Sequence, residues 1–161
     1  MSTVTVTGRI EAHAVDVWRL LTDLPGRVRR HLAGPVELLT PGPFGPGTSW
    51  REPRSQPDGG LLVEEFCVVE AVPPRRLVLV SSGVGVDYRI TWELRRAGRR
   101  HHGRTLVSVT LEAMPVDPYG RVAALFLGAL AARAMEHALR TDLADLATAA
   151  VAGRSGAVRA A

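Results

Sequence analysis

Residues 3–12, TVTVTGRIEA, alternate with a period of two. Val4, Val6, Ile10 and Ala12 share one face, and Thr3, Thr5, Thr7, Arg9 and Glu11 the other. That is the period of a strand with one buried face. From His13 to Asp23 the spacing of Val17, Leu20 and Leu21 is helical, and Pro25-Gly26 reads as its stop. A second short helix is expected over 27–32 and a strand over 36–40. The PGPFGPG segment at 41–47 holds three prolines, three glycines and Phe44, and predicts a loop with an exposed aromatic tip. Strands follow at 48–54, 61–72, 77–82, 84–95 and 105–114, separated by short turn segments, which predicts an antiparallel meander.

At Asp117 the period changes to 3.6. Asp117 suits an N-cap, with Pro118 at the first helical position. The helix continues to about Val151, roughly 50 Å at the α-helical rise. Gly153 reads as its end, so residues 1–152 form one domain and 153–161 a flexible tail. The fold class is therefore α+β. About seven antiparallel strands and two short helices after the first strand are followed by a long C-terminal helix, the element available to cover the sheet.

Composition changes this picture little. The chain has 161 residues and is 46% hydrophobic and 22% charged, ordinary values for a globular domain. All 20 of its basic residues are arginine, and lysine and asparagine are absent, a pattern of very G+C-rich coding such as that of an actinomycete. A sequence pI near 10.5 would suggest an anionic partner, but with no lysine to titrate first it partly reports the arginine pKa. The net charge is only +4, and no nucleic-acid partner is expected. The longest apolar run, 122–132, is too short to span a bilayer. The lone Cys67 can make no internal disulfide. With no signal-peptide pattern at the start, a cytoplasmic protein, monomeric or homodimeric, is expected.

Several fragments, in this order, resemble the START-like (SRPBCC) superfamily, the helix-grip fold of polyketide cyclase/dehydrase and lipid-transfer proteins. They are Ala-Val-Asp-Val-Trp-Arg-Leu-Leu-Thr-Asp at 14–23, Gly-Thr-x-Trp-Arg-Glu at 47–52, Val-x-Pro-Pro-Arg-Arg-Leu within 72–77, Tyr-Arg-Ile-Thr-Trp-Glu-Leu at 88–94, and Gly-Arg-Thr-Leu-Val before the last strand. The resemblance covers about residues 3–150. It implies a small hydrophobic ligand, polyketide-like, aromatic or lipid-like, held between sheet and C-terminal helix. Members of the superfamily include cyclases as well as non-catalytic binders, so both readings stand. Many relatives carry aromatic residues after the first helix, where this chain has Arg27-Val28-Arg29-Arg30-His31-Leu32.

Parity supplies the candidate site. Val86, Tyr88, Ile90, Trp92 and Leu94 share the helix-facing side of their strand, so the Tyr88 hydroxyl is expected to point inward. If the hairpin through Pro57-Asp58-Gly59 pairs Trp50 with Phe66, it also pairs Glu52 with Glu64, and Arg51 with Glu65 on the outer face. Adjacent inward carboxylates push one pKa up and leave an acid beside a base, a pair suited to enolisation, dehydration or aldol-type cyclisation. A register slip of one residue would instead send one carboxylate to solvent. Glu52, Glu64 and Tyr88 are the candidate catalytic groups. His31 near the expected entrance is a further one, or a surface histidine.

Trp50, Phe66, Trp92 and Phe44, with Ala124, Gly128, Ala131 and Met135 on one face of the long helix, are the candidate ligand-binding residues. The small helical residues imply either a cavity or a close approach of helix and sheet. The apolar outer side of 122–130 would suit a loop, a second subunit or a protein partner. His101-His102 lack the spacing and further ligands of a metal site, and no metal or organic cofactor is expected. The arginines of the 95–104 hairpin could receive an acidic carrier protein, or be a solvated charge run.

Overall fold

In the computed structural model the backbone is described over residues 2–26, 34–55, 59–83, 85–98, 103–116 and 118–159. Side chains 55, 118–131 and 154–159 lie outside the description. The alternating opening segment forms β1 (Ser2–Ile10), with Val6 and Ile10 buried. Helix α1 (Ala14–Thr22) turns Val17, Trp18 and Leu21 inward.

Pro25-Gly26 does not simply end that helix, because helical backbone resumes at 24–26. The Asp23 carboxylate accepts from the Gly26 N–H at 3.0 Å, an N-cap interaction in which a proline in the first turn forfeits no bond. The second helix expected over 27–32 lies outside the described residues.

The strand expected over 36–40 shrinks to β2 (Glu37–Leu38). Beyond it the ladder passes to a side chain, since the Ser49 N–H donates to Thr40 Oγ1 at 2.7 Å. The meander follows as β3 (Ser49–Ser55), β4 (Leu61–Val72), β5 (Arg76–Ser82), β6 (Val86–Arg96) and β7 (Thr105–Pro115). All pairings are antiparallel, and the sheet order is β1-β7-β6-β5-β4-β3-β2. The first strand therefore closes against the last, at the edge opposite β2. The peptide between Pro73 and Pro74, in the β4–β5 turn, is cis.

Helix α2 (Pro118–Arg159) lies across the concave face. Asp117, its expected cap, lies outside the described residues. The helix runs through Gly153, where the sequence suggested a stop. A glycine costs about 1 kcal/mol against alanine, too little to stop a helix that arrives through the alanine-rich residues 144–152. Leu139, Leu143, Leu146 and Ala150 of α2 are buried in a core with Val6, Ile10, Trp92, Leu94, Val107 and Val109 of the sheet. The helix comes close to Gly8 of β1, where a Cβ would stand 2.7 Å from Leu143 Cδ2. Among the described residues, no helix is long and apolar enough to cross a membrane.

Candidate functional site

The β3–β4 register pairs Trp50 with Phe66, Arg51 with Glu65, and Glu52 with Glu64. Because side chains alternate, Trp50, Glu52 and Arg54 share the concave side of β3. On β4, Glu64, Phe66 and Val68 share the facing side, with Phe66 and Val68 buried. The two rings stack with centroids 5.5 Å apart, and the Arg54 guanidinium lies 5.4 Å from the Phe66 centroid.

Phe44 is not the exposed tip the sequence suggested. It packs against the core, with its ring 6.4 Å from that of Trp50. The loop is folded back by Gly47 N–H donating to the Val68 carbonyl at 2.8 Å and Val68 N–H to the Thr48 carbonyl at 2.9 Å. A further bond, from Gly45 N–H to Thr48 Oγ1 at 3.0 Å, braces its tip.

The centre of the site is Arg54. Its Nε and Nη2 donate to Glu52 Oε1 at 3.1 and 2.8 Å. Its Nη1 donates to Asp142 Oδ2 on α2 at 3.1 Å, and its Nε lies 2.9 Å from Glu64 Oε2. The other Glu52 oxygen accepts from the Trp50 indole N–H at 3.2 Å. Glu52 is 5% exposed, yet both its oxygens are bonded, as a buried charge requires. Glu64 is one-quarter exposed and meets Arg54 through one oxygen.

Three carboxylates thus surround one guanidinium. Burial opposes the Arg54 charge, but Asp142, Glu52 and Glu64 outweigh it and hold the group firmly protonated. Burial also lifts the Glu64 carboxyl above its ordinary range. Arg54 pulls it back, while Glu52 and Asp142 push it further up. The Tyr88 hydroxyl is raised by burial and then by the Glu64 charge.

Tyr88 belongs to the row Trp50–Phe66–Ser81–Tyr88–Ala113 across the sheet, which brings it toward Glu64. Trp92 does not join this group. It pairs with Leu77 and Val109, four residues farther along β6, about 13 Å away at the strand rise, and is buried in the packed core. Met135 is partly buried against that core. Ala124, Gly128 and Ala131 lie on α2, but their side chains, with the apolar surface of 122–130, are outside the described residues. So are His31 and His101-His102.

A groove of about 840 Å³ opens elsewhere, lined by His13, Asp16, Arg19, Pro74, Arg96 and Arg104 among others. It adjoins the 95–104 hairpin rather than the carboxylate cluster. The hairpin's charge is partly answered, since Arg95 pairs with Glu93 at 3.0 Å and Arg104 with Glu11 at 2.6 Å.

Arg54 and Asp142 were not among the candidates read from the sequence. The signal for Arg54 was its parity with Trp50 and Glu52. Asp142 follows Leu139 by three residues and so lies beside the buried face of its helix.

Residues 1–151 match the family model described as polyketide cyclase / dehydrase and lipid transport. Similar solved structures include the di-domain aromatase/cyclase BexL of the BE-7585A biosynthetic pathway, at 21% identity and a TM-score of 0.67. That alignment covers 92% of this chain and 49% of BexL, so the chain spans about half of that protein. TTHA0849 of Thermus thermophilus is 21% identical at a TM-score of 0.71, over 94% of this chain and 98% of its own. A START superfamily protein of Mycobacterium smegmatis is 13% identical at 0.70, over 93% and 97%. Among curated proteins, none matches the chain by sequence. The seven-stranded curved sheet gripping a long C-terminal helix is the START-like, helix-grip fold of these neighbours.

Proposed function

The chain belongs to the polyketide cyclase/dehydrase and lipid transport family, and from that premise we propose that it binds a small hydrophobic, polyketide-like, aromatic or lipid-like molecule between sheet and α2 and acts on it as a cyclase or dehydratase. The observation that carries this reading is a partly buried carboxyl, Glu64, beside stacked aromatic rings. Apolar walls orient a planar ligand, and one group of raised pKa exchanges protons with it.

Glu52, with both oxygens engaged, serves as the fixed charge. Glu64 moves the proton, and Tyr88 donates to a substrate carbonyl. In a dehydration, the Glu64 carboxylate takes the proton α to that carbonyl, and the C–H electron pair forms the enolate. Glu64 then returns the proton to the β-hydroxyl, the C–O bond breaks as the C=C bond forms, and water leaves. Each turnover restores the starting protonation, and the chemistry calls on no cofactor. A substrate delivered on an acidic carrier protein would meet the chain at Arg95, Arg96 and Arg104.

One observation favours a second reading, a non-catalytic binder or carrier. Arg54 engages all three carboxylates, as a purely structural ion network would. Native mass spectrometry of the protein from its producing cells identifies the bound molecule, and turnover of that molecule separates the two. Catalysis predicts that Glu64→Gln abolishes turnover and keeps affinity. Unchanged turnover in Glu64→Gln and Glu52→Gln would refute it.

A further inference from the structure

The carboxylate cluster joins β3 to the long helix across the helix–sheet boundary. Arg54 sits on β3 and Asp142 on α2, and one guanidinium binds both Asp142 and the β3–β4 carboxylates. We infer that Arg54 is a positioning residue: it fixes Glu52 as a permanent anion, leaves Glu64 as the carboxyl that gains and loses a proton, and through Asp142 makes that assignment depend on the seating of α2.

The geometry supports each clause. Glu52 receives two N–H donors from Arg54 and one from Trp50, which together satisfy both of its oxygens. Hydrogen bonds to an ionised carboxylate favour that form, so protonating Glu52 at either oxygen would lose the bonds made there and weaken the rest. Glu64 shares the same Nε, offers one oxygen to it, and is four times as exposed as Glu52 at its side chain (25% against 6%). A single cation cannot neutralise three anions, and the least anchored carboxyl is the first to take up a proton. Asp142 draws on the same cation from across the helix–sheet boundary, so its approach weakens the hold of Arg54 on Glu64.

Among the described residues, the titratable and charged groups that face Glu64 are Glu52 and Arg54 of β3, Asp142 of α2 and Tyr88 of β6. Linkage makes the effect reciprocal. If seating α2 changes the protonation of Glu64, protonating Glu64 must change the seating of α2.

The inference rests on the reading that Glu64 faces the ligand, but its test needs no ligand. The carboxyl carbons of the intact, ¹³C-labelled protein are titrated by NMR in wild type, Asp142→Asn and Arg54→Lys. Asp142→Asn should move the Glu64 midpoint down, because one opposing anion is gone and Arg54 is released toward Glu64. Arg54→Lys, which keeps the charge but cannot span three carboxylates, should move it up and broaden the Glu52 titration. Amide exchange across 139–146, corrected for intrinsic rate, should change with pH around the Glu64 midpoint and lose that change in Glu64→Gln.

A network that merely stitches helix to sheet would lower stability in both variants and leave amide exchange across 139–146 with no pH dependence around the Glu64 midpoint. That outcome overturns the inference. Should Arg54→Lys fail to fold, the nearly isosteric Asp142→Asn decides alone. A shifted titration in a protein whose ligand never contacts Glu64 would instead sink the functional reading and leave the positioning role intact.

Discussion

Asp142 and Leu143 are adjacent in α2, yet they meet opposite ends of the sheet by different physics. Asp142 reaches Arg54 on β3, in a cluster where every charge has a directed partner. Leu143 presses on Gly8 of β1, among Val6, Val107, Val109 and Trp92, where fit is a matter of volume. The apolar end gains from area removed from water and tolerates small displacements. The polar end gains little net energy from its ion pairs, because desolvation consumes most of the attraction, but it is intolerant of a missing partner. One end holds the helix in place, and the other fixes its rotation and register.

That contrast can be broken most sharply at Arg54. Arg54→Met leaves three partly buried carboxylates without their cation, and urea unfolding at neutral pH should show a loss of about 4 kcal/mol. The deficit should shrink as pH falls, since protonation removes the stranded charges. A variant equally unstable at both pH values would mean that lost packing on Phe66 dominates.

Leu143→Ala tests the apolar end and should cost about 3 kcal/mol, with no change in that deficit across pH. A smaller effect belongs to Glu64 itself. Its folded pKa is raised, so the folded state holds the proton longer than the unfolded chain. Stability should therefore fall as pH rises from the ordinary glutamate range through the folded value, and the unfolding midpoint of Glu64→Gln should be flatter across that window. Smallest of all, Gly8→Ala should destabilise by about 1 kcal/mol, because the new methyl need displace only the tip of Leu143. A loss several times larger would mean that α2 cannot yield at Gly8.

Much of this contrast was legible along the chain. Alternation at 3–12 and 84–95 located the buried faces, and of the registers open to the hairpin after β3, the one pairing Trp50 with Phe66 forms and sets Glu52 beside Glu64. Arg54 escaped notice because an arginine at a strand's end is ordinarily solvated, and nothing local signals that three carboxylates await it. Asp142 escaped because a helical pattern locates an apolar face but not what borders it. The two lie 88 residues apart, and only tertiary contact unites them. Gly153 misled for the opposite reason, being a local breaker overruled by the alanine-rich helix that precedes it.

The sheet order carries a consequence for how the chain is made. β1 is synthesised first, but its partner is β7, so Ser2 waits for Ala113 and Ile10 for Thr105. Until β7 emerges, β1 lacks its partner, while the β3–β6 meander can pair as it emerges. Contacts of such long sequence separation form slowly and expose edges in the meantime. The seat of the helix at Gly8 is therefore assembled last. A ribosome-bound chain arrested before residue 105 should hold the carboxylate-bearing hairpin and still have nowhere to dock its final helix.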